Sequence, residues 1–200
     1  MPAVADTLLL KNAGDHRSDG ELARTLADCR DRLGSKIGDM HAYRGTSSAD
    51  VYVYFELPAE TSTVAALDAV LDCGRTVAIA APSIDRLQGV FDVPGASASA
   101  MAAFHYVVET DAADGWQNEM FHWYDTEHMP GLAAVPGCVR ARRFLNLGRG
   151  PYSLACYDLV APTVTASSQW LAVRGTPWSA RVRPQFRNTR RTMFRPLALS

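Results

Sequence analysis

The 200-residue chain has no long hydrophobic run. Its longest strictly apolar stretches, such as Val77 to Pro82, span a few residues, far short of the roughly 18 to 20 that a membrane helix needs. No membrane partner is therefore expected. The Met1–Leu10 segment contains Asp6 and has no basic flank, which argues against a secretory leader and for a cytoplasmic location. HExxH, Walker, GxGxxG and Gly-x-Ser-x-Gly patterns are all missing, so zincin, P-loop, dinucleotide-binding and nucleophile-elbow readings lack their motifs. The four cysteines, Cys29, Cys73, Cys138 and Cys156, form no CxxC pair and no Cys/His cluster with zinc spacing. They are expected to be buried thiols in a reducing compartment. Excess charge of either sign is absent too, with a net of −1 and 48% apolar residues, which excludes a mainly disordered chain. The length suits one or two domains with a real core.

That balance conceals an asymmetry. Residues 1–100 carry nine basic and fourteen acidic side chains, whereas from Val139 onward there are eleven arginines and one acid, Asp158. Three readings compete: a basic half packed beside an acidic half, an anionic small ligand, or nucleic acid. The first two are preferred and no nucleic-acid partner is expected.

The chain reads as one unit written twice. Ser18-Asp19-Gly20-Glu21 has the form of a capping box, and Asp114-Gly115-Trp116-Gln117 repeats that form. Phe55 to Thr61 lines up with Tyr157 to Thr163, and Gly89-Val90-Phe91-Asp92 with Thr192-Met193-Phe194-Arg195. Hydrophobic patterning gives β-α-β-β-α-β in each half. Strands are expected at Thr7–Asn12, Asp39–Arg44, Val51–Leu57 and Leu87–Val93, with helices at Asp19–Leu33 and Thr63–Leu71. The second half offers strands at Phe104–Glu109, Cys138–Leu145, Tyr152–Val160 and Thr189–Arg195, and helices at Trp116–Glu127 and Ser167–Arg174. Trp178–Val182 adds a short turn of helix. The expected fold is α+β: two tandem ferredoxin-like βαββαβ repeats, residues 1–96 and 101–200, forming a dimeric-α+β-barrel-like arrangement. Each antiparallel sheet carries helices on one face, so two sheets facing each other would cover the rest, with a pocket between them.

The segment richest in chemistry runs from Trp116 to Gly137. Pro130 disfavours helix at Met129, so the helix is expected to end there. At helical spacing Phe121, Tyr124, Asp125 and His128 share one stripe, while Trp116, Met120, Trp123 and Glu127 form a core stripe. The first stripe sets an imidazole on the last turn above a carboxylate and a phenol. Asp125 is placed to orient His128, and the helix C-terminus favours the imidazolium. Such a histidine suits general acid/base work, or serves as a hydrogen-bonded cap with no chemistry.

Tyr124-Asp125-Thr126-Glu127-His128-Met129-Pro130, then Val135-Pro136-Gly137 and Ala141-Arg142-Arg143-Phe144, resembles the EthD-like branch of the dimeric α+β barrel superfamily. The resemblance covers residues 103–196. The first half lacks the His-x-Pro pattern at its helix end, Arg32 to Lys36, which implies one site rather than two. It implies a small pocket, usually free of cofactor, in which His128 and Tyr124 act as acid and base on phenolic or enolisable molecules. Relatives include polyketide cyclases, muconolactone isomerase and cofactor-independent monooxygenases.

Other candidates follow from position. His105 and Tyr106 point to opposite faces of their strand, so one of them should meet the cavity. Arg143 is placed to hold an anionic oxygen. Tyr157 is a pocket phenol or a core aromatic. Arg174 to Trp178 suggests a lid with Trp178 over an apolar ligand. Glu119, His122, Asp125 and His128 recur every three residues and drift about 60° per step, so no metal site is expected there. The expected catalytic residues are thus His128, Tyr124 and Asp125, with His105, Arg143, Tyr157, Phe121 and Trp178 binding substrate. The expected activity is cofactor-independent acid/base chemistry of lyase, isomerase or cyclase type on a hydrophobic aromatic or enolisable molecule. A cofactor-free monooxygenase and a non-catalytic ligand- or haem-binding protein are the alternatives. A few C-terminal arginines are expected beside His128, favouring an anionic or enolate-forming ligand. Either one chain closes its own barrel or two chains pair as a homodimer.

Overall fold

In the computed structural model, which describes residues 6–58, 63–76 and 83–199, the apolar run Thr7–Asn12 forms strand β1. Ala59–Thr61, part of one internal match, and the Val77–Pro82 run lie outside the described residues. Helix α1 (Asp19–Leu33) starts at a Ser18 capping box, whose side chain accepts from the Glu21 backbone while Glu21 reaches back. Then come β2 (Met40–Gly45), β3 (Val51–Glu56), α2 (Thr63–Thr76) and β4 (Ser83–Pro94). The same order follows with β5 (Phe104–Ala112), α3 (Gln117–Trp123), a π turn over Tyr124–His128 and α4 (Met129–Ala133). Strands β6 (Cys138–Asn146) and β7 (Ser153–Leu159), helices α5 (Ser168–Arg174) and α6 (Pro177–Val182), and β8 (Phe186–Pro196) complete it. The fold is mixed α+β. No described helix is long and apolar enough to cross a membrane.

The chain divides into two compact units, Met1–Gln88 with Phe194–Ser200, and Gly89–Met193. In the first, the strand order is β4-β1-β3-β2 with the end of β8 beside β2. All of those pairings are antiparallel. Leu22, Leu26, Cys29 and Leu33 line one stripe of α1 and pack with Leu8, Leu10, Val53 and Phe55 of the sheet and Ala66 and Val70 of α2. Each fully buried leucine contributes about 1.5–3 kcal/mol.

Cys29 of α1 and Cys73 of α2 are joined by a disulfide, their Cα atoms 5.7 Å apart. This corrects the expectation of four thiols. Packing of two helices from distant parts of the sequence, not a spacing motif, brings the pair within bridging reach. Cys138 and Cys156 are free and buried. Thiol titration of unfolded, unreduced protein should therefore count two reactive cysteines, rising to four after reduction. Four at the outset would show the crosslink absent.

In the second unit the order is β8-β5-β7-β6, with the end of β4 beside β6. Strand β7 pairs antiparallel with both β5 and β6, Tyr106 opposite Tyr157 and Ala141 also opposite Tyr157. Its own core holds Met120, Trp123, Leu132, Ala155, Leu159 and Trp170. The expected second capping box does not form. Trp116 is the N-cap, without a side-chain hydrogen bond, because a turn with Gly115 at φ 79° bonds the Trp116 N–H to Ala113 and delays the helix. At the Val135-Pro136-Gly137 turn, Gly137 has φ 93° and a Cβ there would lie 2.5 Å from Val164 Cγ2, so glycine is required.

Candidate functional site

The helical segment does not stop before Pro130. It widens into the π turn Tyr124–His128 and continues as α4 to Ala133, with Pro130 in the first turn of α4. A proline lacks the N–H for an ordinary i→i−4 bond and its ring crowds that carbonyl. Helices absorb such a break in a π turn. The wider turn also changes which side chains share a face. Trp123, five residues before His128, stacks on its ring at 4.1 Å, and Tyr124 meets it edge-on at 5.7 Å. Asp125 turns elsewhere, so the expected Asp125–His128 pair is not made. Asp125 instead takes both Nη2 and Nε of Arg143, at 2.8 and 3.1 Å.

His128 is 8% exposed. Its Nδ1 is sealed from solvent without a hydrogen-bond partner. Nε2 makes no hydrogen bond to any described residue either. His128 lines a pocket within the second unit that encloses about 30 Å³ and opens to solvent. Tyr106 and Val108 of β5, Tyr157 of β7 and Arg191 of β8 form its sheet wall. Trp123, Tyr124, His128 and Leu132 face them from the α3–α4 segment. Trp170 and Arg174 of α5, with Arg183 and Phe186, complete it. The site is thus on the helix-covered face of one unit's sheet, not in a space between two sheets. Pocket-lining residues come from both layers of the unit because Tyr106, Val108, Ala155 and Tyr157 all point toward the helices.

The electrostatics are one-sided. Among the described residues lining the pocket there is no carboxylate. Burial, then the Arg183 and Arg174 guanidiniums, hold the His128 imidazole down at about 3, so it is neutral at pH 7. Burial pushes the Tyr124, Tyr106 and Tyr157 hydroxyls above the ordinary phenol range. Burial also lowers Arg183, and Arg174 and Arg191 lower it further. Tyr157 donates to Met129 Sδ at 2.9 Å.

No family model matches the chain, and no curated protein matches it. Solved structures do. One is an anthrone oxidase-like protein, TM-score 0.66 at 12% identity, covering 98% of this chain and 95% of the other. A presumed monooxygenase from Lactobacillus acidophilus gives TM-score 0.64 at 10% identity, with 98% and 95% covered. Chlorite dismutase from Candidatus Nitrospira defluvii gives 0.61 at 11% identity, with 98% and 93% covered. The chain shares the fold of these structures. At these identities the likeness shows the fold alone, and this fold carries unrelated functions.

Of the residues expected at the site, the structure gathers His128, Tyr124 and Tyr157 around one cavity. The other five, Asp125 with its Arg143 partner among them, lie elsewhere. Arg143, 2% exposed, is held by Asp125 and lies over the Phe121 ring at 4.7 Å. Phe121 stacks on Tyr152 at 5.9 Å, outside the pocket. Trp178 donates to Glu119 at 2.8 Å and sits against His122, because α6 is tied to α3 rather than folded over the cavity. His105 occupies the opposite face of β5, and Tyr106 is the member of that pair that meets the cavity. The arginine excess after Val139 pointed to a few arginines beside His128 without saying which; at the pocket they are Arg174, Arg183 and Arg191.

His105 belongs to a buried ionic group with Asp158 at 2.7 Å, joined by Arg142 at 3.3 Å. Burial alone would raise the Asp158 carboxyl, but the His105 hydrogen bond and charge, with Arg142 and Arg140, hold it at about 2. A depressed carboxyl stabilises the fold above its ordinary value and loses that contribution as pH falls through the folded value. Thermal midpoints should therefore drop between about pH 4 and pH 2, and Asp158→Asn should flatten that decline while lowering stability at pH 7. Identical slopes for the two proteins would contradict this role.

Proposed function

We propose that the protein is an enzyme of acid/base type that takes a small aromatic, phenolic or enolisable molecule into the His128 pocket and moves a proton through His128 Nε2. The observation that carries this is a neutral imidazole, without a hydrogen-bond partner among the described residues, lining a cavity walled by aromatic rings. The three tyrosines stay protonated, so none acts as a base; Tyr106 and Tyr124 serve as hydrogen-bond donors, and Tyr157 already donates to Met129 Sδ. The arginines stabilise the enolate or phenolate that proton removal leaves, by the same principle as an oxyanion hole. Lyase, isomerase or cyclase outcomes all share this first step. The EthD-like assignment, resting on Tyr124 to Pro130 and the Val135-Pro136-Gly137 turn, is consistent with it, and the repeated β-α-β-β-α-β order with a duplicated ancestor.

Reaction of the resulting substrate anion with molecular oxygen is the second reading, supported by the anthrone oxidase-like and monooxygenase structures that share the fold. Haem is suggested by the heme-degrading enzyme with the same fold. An imidazole and cations for its carboxylates are present, but the space does not suit it. Trp123 lies on the His128 ring and Tyr124 stacks on Phe186, leaving about 30 Å³ enclosed, far too little for a macrocycle. No step is routed through haem.

The test is deuterium uptake at the acidic carbon of 2-tetralone, a two-ring enolisable ketone, in deuterated buffer without oxygen. Catalysed uptake supports proton transfer; oxygen consumption in air then selects the second reading. A protein that binds such rings without exchanging their protons, or that shows a haem absorption band as purified, overturns the proposal.

A further inference from the structure

Resting on that reading of the His128 pocket, the geometry points to an aromatic acid as substrate: a one- or two-ring molecule whose carboxylate sits among Arg174, Arg183 and Arg191. These three guanidiniums come from the end of α5, the segment after α6, and β8, and converge on one cavity. Arg174 and Arg183 are half-buried and Arg191 stands exposed. The protein supplies them with no counter-charge. Among the described residues neither Arg174 nor Arg191 has a side-chain ion pair or hydrogen bond, and Arg183 reaches only the Arg174 carbonyl, at 3.4 Å.

The neighbouring acids are all engaged elsewhere. Asp125 holds Arg143, Glu119 holds Trp178 and Arg181, and Glu127 accepts from Trp123 and Thr176. Three like charges grouped without a partner repel one another, and a bound anion removes that repulsion. Guanidinium forks match the two oxygens of a carboxylate, while Tyr106 and Phe186, half-buried at the same pocket, offer rings to an aromatic group.

A permanent negative charge also resolves a conflict within the site. The groups facing His128 are Arg174, Arg183 and Arg191 from α5, the post-α6 segment and β8, and the neutral phenols Tyr106, Tyr157 and Tyr124. An empty site therefore surrounds its only base with cations, which weakens that base. A phenol or ketone arrives neutral and leaves the cations uncompensated at the moment the proton must move. A carboxylate compensates them on arrival, so the substrate removes the arginines' share of the depression of His128 while burial keeps the rest. The site is then more active toward acids of the right shape than toward neutral analogues.

Equilibrium binding of 1-naphthoate, 1-naphthalenemethanol and 1-naphthyl phosphate, followed by calorimetry, tests this without turnover. Naphthoate should bind about tenfold or more tighter than the alcohol, and Arg183→Gln and Arg174→Gln should each remove most of that preference. Arg183→Lys, which keeps the charge and loses the fork, should recover part of it. His128→Ala should retain naphthoate binding, and thermal melts report whether each variant is folded. Equal affinity for the alcohol, no loss in either glutamine variant, or tighter binding of the phosphate would overturn the assignment, while proton transfer to His128 would stand untouched. Naphthoate binding as expected with no exchange of 2-tetralone or its carboxylated analogues would do the reverse, keeping the acid site and removing the enzyme.

Discussion

His128→Ala is expected to lower kcat for the proton-transfer step by about 10²- to 10⁴-fold, the range over which a positioned acid or base contributes. His128→Gln should fall as far, because an amide can hydrogen-bond to a substrate and cannot take its proton. The loss should appear in kcat more than in KM, since the aromatic walls and arginines that bind the ring remain. Stability should change little. The substitution removes packing against Trp123 and Tyr124, but it also removes a sealed Nδ1 that has no partner. Steady-state rates beside thermal melts check both parts, and a folded His128→Ala protein with full turnover would sink the assignment.

Asp125→Ala is expected to act on the fold rather than on the chemistry. Arg143 is 2% exposed, its Nη1 already lacks a partner, and Asp125 is the acid that neutralises it. Removing one partner of a buried pair leaves an uncompensated charge, a loss of about 3–5 kcal/mol. The lower end applies, because the Asp125 side chain is 40% exposed and water can reach the guanidinium from that side. Asp125→Asn should lose less, since the amide oxygen still accepts one hydrogen bond. Denaturant unfolding measures the difference. The pH dependence of the remaining activity should be unchanged, because Asp125 does not touch His128. A shifted profile with unaltered stability would restore the orienting role that helical spacing suggests.

Much of the fold was legible because its signals are local. The Ser18 capping box, the stripe Leu22, Leu26, Cys29 and Leu33, and the apolar run Thr7–Asn12 placed α1 and β1 to the residue. The Asp114 box failed because its form is the same while a glycine turn at 115 uses the backbone differently. Pro130 announced a break in the helix but not its kind. A π turn and a stop begin with the same residue, and only the first turns Asp125 away from His128 and brings Trp123 onto it. Alternation at His105 and Tyr106 separated two faces without saying which one the helices cover. The arginines were out of reach of any motif, since Arg174, Arg183 and Arg191 meet only through the packing of α5, α6 and β8.

The account rests on a base that is neutral and weak in the empty site and strengthened by an anion. Its most direct test is the titration of His128 by NMR, with the ring carbons of all five histidines labelled and His128→Ala identifying the signal. A depressed imidazole stays unprotonated as pH falls through the ordinary 6.5, so in free protein the His128 signal should not move between about pH 8 and pH 4. With 1-naphthoate bound, its midpoint should rise, because the anion offsets the Arg183 and Arg174 charges, and should stay below 6.5, because burial remains. A midpoint near 6.5 in the free protein, or one that naphthoate leaves where it was, would contradict the account.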